Sequence, residues 1–355
     1  MRPSHYERLQ EMFSKVELFV TRKCQLDCSY CNIKLVNKRM PGELSVEEWK
    51  RAFAFFKRMG TSIVIVYGGE PLSLGDDLVE LVRYLREIDL PYAIISNSIG
   101  FERYAQKLID AGLRNWSASV DSMEPEQFHT DPYNKVRAVS SLRALRWFKE
   151  HGVSDVVACT TIHNQNLEHV PDLVRRLSRE GIWCIATMIQ GGLQADHDYA
   201  SPKDSIKELL FTEKDVPRLE KVRSELIGLI KDGALLDWAV CPDYMRIWSN
   251  PLVRDFRWHC TRQPGMLKVD ADGSIRCCTG RRGQIVPKYK VWELEDETKF
   301  DLILNDFQRD IALCVGCSWT AEWACEEMAK KDRVLFEKIA RHEVTIGAWL
   351  NKYGA

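Results

Sequence analysis

The chain has 355 residues, 45% of them apolar, with 50 basic against 51 acidic side chains, a balance that excludes bulk attraction to nucleic acid or to an anionic membrane. No run approaches 18 consecutive apolar residues, so no bilayer span is expected. Met1 to Val16 is charged and lacks the apolar stretch of a signal peptide, and twelve cysteines in such a chain favour metal ligation in a reducing cytoplasm over disulfides.

In chain order, Val16 to Val20 is the first strand, and the polar stretch Thr21 to Asn32 after it is a loop holding Cys24, Cys28 and Cys31. Ser45 is an N-cap with Glu48 as its capping-box partner, opening a helix that stops at Gly60. Ser62 to Tyr67 is a buried-type strand that runs into Gly68-Gly69-Glu70-Pro71, and a helix over Asp77 to Glu87 carries Leu78, Val79, Leu81, Val82 and Leu85 on its apolar side. Further strands fall at Tyr92 to Ser96, Trp116 to Val120, Val156 to Ile162 and Ile182 to Ile189, between helices that end at Gly112, Gly152 and Gly181. Six strands, each followed by a helix, predict parallel pairing through right-handed crossovers. The expected fold is α/β: a (β/α)6 partial TIM barrel over residues 1–235, with its ligand site at the C-terminal ends of the strands.

The polar residues cluster where those strands end. The cysteine loop follows the first strand, Gly68-Gly69-Glu70 ends the second, Ser96-Asn97-Ser98 the third and Ser119-Val120-Asp121 the fourth, so all four should share one rim. Glycines at 68 and 69 let backbone approach a ligand closely, and Glu70 adds an acceptor for an ammonium or a hydroxyl. A cubic iron–sulfur cluster normally takes four thiolates. The tight Cys-x3-Cys-x2-Cys loop has no fourth cysteine nearby, which leaves one iron open to a substrate or cofactor. A structural zinc site needs four Cys or His ligands, and no histidine lies between His5 and His129.

The Cys-x3-Cys-x2-Cys loop with Tyr30 before its last cysteine, together with the downstream Gly-Gly-Glu-Pro, resembles the radical S-adenosylmethionine enzymes. The resemblance covers residue 16 to about 235. It implies a [4Fe–4S] cluster on Cys24, Cys28 and Cys31, with the open iron chelated by the amino and carboxylate groups of S-adenosylmethionine. Gly68, Gly69 and Glu70, leading into Pro71, would receive the ammonium. Ser96, Asn97, Ser119 and Asp121 would reach the ribose hydroxyls or the carboxylate, and Tyr30 would sit near the adenine. Many relatives have Gly after the fourth-strand Asp where this chain has Ser122, so the loop there is expected to differ. One-electron reduction would give a 5′-deoxyadenosyl radical that removes hydrogen from an unactivated C–H bond, with the protein orienting the substrate and excluding water.

After Gly233 the sequence changes character, with seven of the twelve cysteines in Cys241, Cys260, Cys277, Cys278, Cys314, Cys317 and Cys325. Residues 236–355 are read as a small α+β second domain with a C-terminal helix. Leu267 to Val269 and Ser274 to Arg276 flank an Asp-Gly turn and predict a β-hairpin. Of the adjacent Cys277 and Cys278 only one should ligate, because successive strand residues face opposite ways. Asp270 to Gly273 does not continue as a calcium loop, since Arg281 stands where the last glutamate belongs. The set Cys260, Cys278, Cys314 and Cys317 resembles the twitch/SPASM auxiliary-cluster domains of this family, which implies one further [4Fe–4S] cluster; a zinc ribbon on the same four cysteines is the alternative.

A fully ligated auxiliary cluster suits electron transfer, hence net oxidation of the substrate radical by dehydrogenation or bond formation. Alternatively a thiol such as Cys241, Cys277 or Cys325 returns a hydrogen atom and the enzyme is an epimerase, or the chain is a non-catalytic iron–sulfur electron carrier. Cys159, Cys184 and His163 read as simple burial. Expected partners are a small-molecule or peptide substrate and an external one-electron reductant such as flavodoxin or ferredoxin, with no nucleic acid and no membrane. With about fifteen residues before the first strand, a cobalamin or peptide-recognition domain is not expected, and the ending Tyr353-Gly354-Ala355 differs from the Gly-Gly of molybdopterin-type cyclases, so that activity is not expected either.

Overall fold

The computed structural model describes residues 4–31, 39–124, 132–189, 206, 208–236, 266–277, 289–312, 331–340, 348 and 352. Its strands are β1 (Lys15–Phe19), β2 (Ile63–Tyr67), β3 (Tyr92–Ser96), β4 (Asn115–Ser119), β5 (Asp155–Ile162), β6 (Trp183–Met188), β7 (Met266–Val269) and β8 (Ile275–Arg276). They form one sheet in the order β6-β5-β4-β3-β2-β1-β7-β8. β1 to β7 run parallel and β8 pairs antiparallel with β7. The architecture is an unclosed partial barrel of mixed α/β type, as the alternation of strand and helix signals predicts.

Alternation along each strand decides which face packs. Val16 and Leu18 of β1, Val64 and Val66 of β2 and Ile94 of β3 are buried in one core. That core is completed by α1 (His5–Met12), α2 (Val46–Met59), α3 (Asp76–Glu87), α4 (Ala105–Asp110), α5 (Pro132–Glu150), α6 (Val170–Arg179), α7 (Val216–Lys231) and α8 (Glu297–Ala312). In α2, Trp49, Phe53 and Phe56 recur on one side and are all buried, each contributing roughly 1.5–3 kcal/mol of burial energy. The start of α2 is the capping box read from the sequence: Ser45 Oγ accepts from Glu48 N, and Glu48 returns a bond to Ser45 N at 2.8 Å. The opposite face of the sheet, carrying Glu17, Ile65 and Tyr67, is half-buried.

The foreseen hairpin is present, with Asp270 to Gly273 as its turn, but it does not stand apart from the barrel. β7 lies beside β1 in parallel register, from Lys15 opposite Met266 to Leu18 opposite Val269. Covering the β1 edge satisfies backbone groups that an unclosed barrel would otherwise leave as a pairing template. The six-stranded sheet expected for the barrel therefore continues into the hairpin and has eight strands. A last described helix, α9 (Arg333–Ala340), follows toward the C-terminus. Among the described residues no helix is long and apolar enough to cross a membrane.

Candidate functional site

The rim at the C-terminal ends of β1 to β5 is built from the cysteine loop outward. Cys24 and Cys28 are buried, Cys31 is half-buried, and all three pack with Leu26 and Ile99. The loop is tied down at its start, where Glu43 accepts from Thr21 Oγ1 and from Arg22 N, both at 2.9 Å. Arg22 also grips Asp270 in the turn after β7, with Nε 3.0 Å from Oδ1. The cysteine loop and the C-terminal hairpin thus share a salt bridge across 248 residues of sequence.

Gly68 and Gly69 serve this loop. Gly69 N donates to Thr21 O at 2.7 Å and Glu70 N to Lys23 O at 2.8 Å. A Cβ on Gly68, whose φ is +140°, would lie 2.5 Å from Thr21 O, and one on Gly69 would lie 2.3 Å from Lys23 O. Any side chain at either position would push the cysteine loop off the end of β2. The close approach that the two glycines allow is therefore to protein backbone in the first instance.

Glu70 is 1% exposed. Its carboxylate accepts from Ser96 Oγ at 2.7 Å, Asn97 N at 2.7 Å and Leu72 N at 2.9 Å, the last capping the turn that begins at Pro71. Burial dominates over these neutral donors and pushes Glu70 up to about 7. Asn97 in turn places its Nδ2 3.7 Å from Cys24 Sγ, and Leu26 N lies 3.4 Å from the same sulfur. Ser119 ends β4 half-buried, opposite Cys159 of β5.

Asp121 is the hub of the other half of the rim. It accepts from Thr161 N at 2.8 Å, from the Tyr30 hydroxyl and from Arg137, which reaches over from α5. The Arg137 guanidinium lies 5.1 Å from the centre of the Tyr30 ring, and its Nη1 is 4.0 Å from Cys28 Sγ. Burial works against the Arg137 charge, but Asp121 and Tyr30 outweigh it and hold the side chain protonated. Asn166 completes the joint by donating to the carbonyls of Asp121 at 3.0 Å and Thr161 at 2.9 Å.

The structure therefore gathers Cys24, Cys28, Cys31, Tyr30, Gly68, Gly69, Glu70, Pro71, Ser96, Asn97, Ser119 and Asp121 at one end of the sheet. Cys241, Cys260, Cys278, Cys314 and Cys317 lie outside the described residues. His163 and Cys184 are buried, while Cys159 is half-buried. Arg137, Thr161 and Asn166 escaped the sequence reading. Arg137 had a signal: it is in phase with Ser141, Leu145 and Phe148 on the buried stripe of α5, where an unpaired cation would not be tolerated.

The donor set fits an iron–sulfur cluster. Burial first, then Glu70, Cys28 and Cys31, push the Cys24 thiol up to about 12 against the pull of the Leu26 amide, so Cys24 becomes a thiolate only against a strongly cationic centre, and metal ligation requires that form of all three cysteines. Among the described residues no three His, Cys, Asp or Glu side chains converge on a single-ion site. A cubane does not require that convergence, because it spreads three thiolates over three irons.

Comparison with known proteins agrees with this geometry. The model of the Radical SAM superfamily matches residues 18–177. A PqqA peptide cyclase from Rhodopseudomonas palustris is 34% identical over 161 residues, 45% of this chain and 42% of that protein. An AdoMet-dependent heme synthase from Oleidesulfovibrio alaskensis is 30% identical over 181 residues, 50% of this chain and 46% of that one. The matches thus span less than half the length of these curated relatives. Streptococcus suis SuiB bound to S-adenosylmethionine superposes with a TM-score of 0.60 over 82% of this chain and 66% of its own, at 14% identity, a likeness of fold; SuiB has also been solved with its precursor peptide SuiA.

Proposed function

From the premise that this chain belongs to the radical SAM superfamily, we propose that Cys24, Cys28 and Cys31 hold a [4Fe–4S] cluster whose open iron takes S-adenosylmethionine. When bound and reduced by an external one-electron donor of the flavodoxin or ferredoxin type, the pair supplies a 5′-deoxyadenosyl radical able to remove hydrogen from an unactivated C–H bond. The chain's own residues hold and shelter that chemistry. Gly68 and Gly69 let the cysteine loop seat on β2, Glu70 ties the ends of β2 and β3 together, and Tyr30 with Asp121 closes the β4 side. The observation that carries the reading is this juxtaposition of three cysteines with the Gly-Gly-Glu turn wound onto their loop.

The substrate class we favour is a peptide, as in the PqqA peptide cyclases among the relatives and the SuiA complex of SuiB. The C-terminal part of the chain, whose hairpin extends the barrel sheet, would carry a twitch-type set in which Cys260, Cys278, Cys314 and Cys317 ligate one auxiliary [4Fe–4S] cluster. That cluster would accept the substrate's electron and make the net reaction an oxidation. The test is anaerobic reconstitution followed by incubation with S-adenosylmethionine and dithionite. Iron and sulfide for two cubanes, and 5′-deoxyadenosine that disappears when Cys24, Cys28 and Cys31 are all replaced by Ala, are expected. Protein that loads no iron, or a triple variant that still cleaves S-adenosylmethionine, would end the proposal.

A further inference from the structure

We propose that Arg137 is a positioning residue that sets the reduction potential of the cluster on Cys24, Cys28 and Cys31, by fixing a positive charge against the Cys28 sulfur with Asp121 as counterweight. The inference rests on the functional reading above. Arg137 is 5% exposed and Asp121 1%. The guanidinium cannot swing away: one nitrogen is bound to Asp121, its plane lies over the Tyr30 ring at 5.1 Å, and Nη1 is 4.0 Å from Cys28 Sγ. Asp121 is held from its other side by Thr161 N at 2.8 Å, so the order sulfur, guanidinium, carboxylate is fixed. Arg137 Nε is buried without a hydrogen-bond partner among the described residues, a donor that a sulfide-rich guest would satisfy.

Stability alone is a poor account of this pair, because well-packed apolar residues usually do as well as a buried ion pair. A potential is another matter. Cluster potentials follow net charge, hydrogen bonds to the sulfurs and exclusion of solvent, and a charge 4.0 Å away acts far more strongly in the protein interior than in water. Reduction adds one electron to the cluster and its thiolates. The nearby guanidinium favours that state, while the carboxylate behind it opposes it from farther off. The two residues should therefore move the potential in opposite directions.

The experiment is a mediated dithionite titration of the full chain, reconstituted anaerobically and without added S-adenosylmethionine, followed by the paramagnetic signal of the reduced cluster. Arg137→Met should shift the couple to more negative potential, so that at a poise half-reducing the parent clearly less than half of the variant is reduced. Asp121→Asn should shift it the other way, and Arg137→Lys should stay close to the parent. Unchanged potentials in Arg137→Met and Asp121→Asn, or shifts of the same sign, overturn the inference while leaving the cluster assignment intact. Should Arg137→Met fail to load iron, Asp121→Asn decides: a less negative couple supports the proposal, and any other result overturns it. A parent chain that loads no iron on the three cysteines sinks the functional reading and this inference with it.

Discussion

Glu17 on β1 and Glu70, three residues beyond the end of the neighbouring β2, are both largely out of solvent, and their protons behave oppositely. Burial alone would raise Glu17, but the Lys268 ammonium, Lys15 at 3.4 Å and the Tyr67 hydroxyl at 2.8 Å outweigh it and hold the carboxyl down to about 2. Among the described residues Glu70 has Ser96, Asn97 and Leu72 as donors, all neutral, so burial wins and it rises to about 7. The middle of the sheet carries its own counter-charge. At the rim, Arg137 faces Asp121 and Cys28, which leaves Glu70 and Cys24 without a cation among the described residues. Under the function proposed above, acidic groups arranged this way would receive a metal cluster and a cationic cofactor; the Glu17–Lys268 pair is a fastening between β1 and β7.

The largest effect expected from breaking this contrast is at the rim. Cys24→Ala removes one of three thiolates and should bring iron and sulfide in the N-terminal site, and 5′-deoxyadenosine production, to background. Thermal unfolding of the cluster-free protein should scarcely change, because the residue sits in a loop rather than in the main core. Retained cluster would show that the rim is not its seat.

At the fastening the expected loss is of stability. Lys268→Met leaves Glu17 charged with only the half-exposed Lys15 and the Tyr67 hydroxyl against it, and should cost roughly 1–3 kcal/mol in denaturant unfolding, less than the roughly 3–5 kcal/mol of a buried charge with no partner. The double variant Glu17→Gln with Lys268→Met should recover most of it, with cluster loading unchanged. Because the folded-state value of Glu17 is depressed, its contribution is present above the ordinary value of 4.5 and lost as pH falls toward about 2; that loss is about 3 kcal/mol. A parent protein whose acid unfolding matches that of the double variant would remove Glu17 from the account.

Glu70→Gln is the next smaller step. The amide can still accept from Ser96, but its NH2 then meets the Asn97 N–H, and the clash of donors should cost roughly 1–3 kcal/mol. The pH dependence has the opposite sign to that of Glu17. A carboxyl raised to about 7 in the fold favours the folded state below 4.5, and this advantage fades as pH rises through 7. In cluster-free protein that slope should vanish in the Gln variant, as measured by unfolding between pH 4.5 and 7; a slope that persists would assign it elsewhere.

Much of the fold and half of the site were legible because they are written locally. The alternation in Ile63–Tyr67, the capping box of Ser45 and Glu48, and the Asp-Gly turn at Gly273 each specify their element within a few residues. The rim followed from the rule that strand ends gather ligands. The docking of β7 on β1 was not legible, because a strand of four residues carries no record of a partner some 250 positions away. Arg137 was hidden for a related reason: its partner Asp121 is 16 residues off, across a crossover, and the pairing exists only once α5 packs on β4. The two glycines were read as room for a ligand, whereas the oxygen atoms they must clear belong to Thr21 and Lys23.

The smallest expected effect probes where the rim stops. Ser45 caps α2 two residues after Glu43, the carboxylate that holds Thr21 and Arg22 at the start of the cysteine loop. Between them, Leu44 N donates to Ala271 O of the hairpin turn at 2.8 Å and the Leu44 side chain is buried. This anchor fixes Glu43 independently of the cap. Ser45→Ala should therefore lower stability by about 1 kcal/mol, with iron content and the cluster's spectrum unaltered. A spectrum that changed along with stability would mean that the helix start transmits its geometry through Glu43 into the loop, and the boundary between scaffold and rim would have to move to include the first turn of α2.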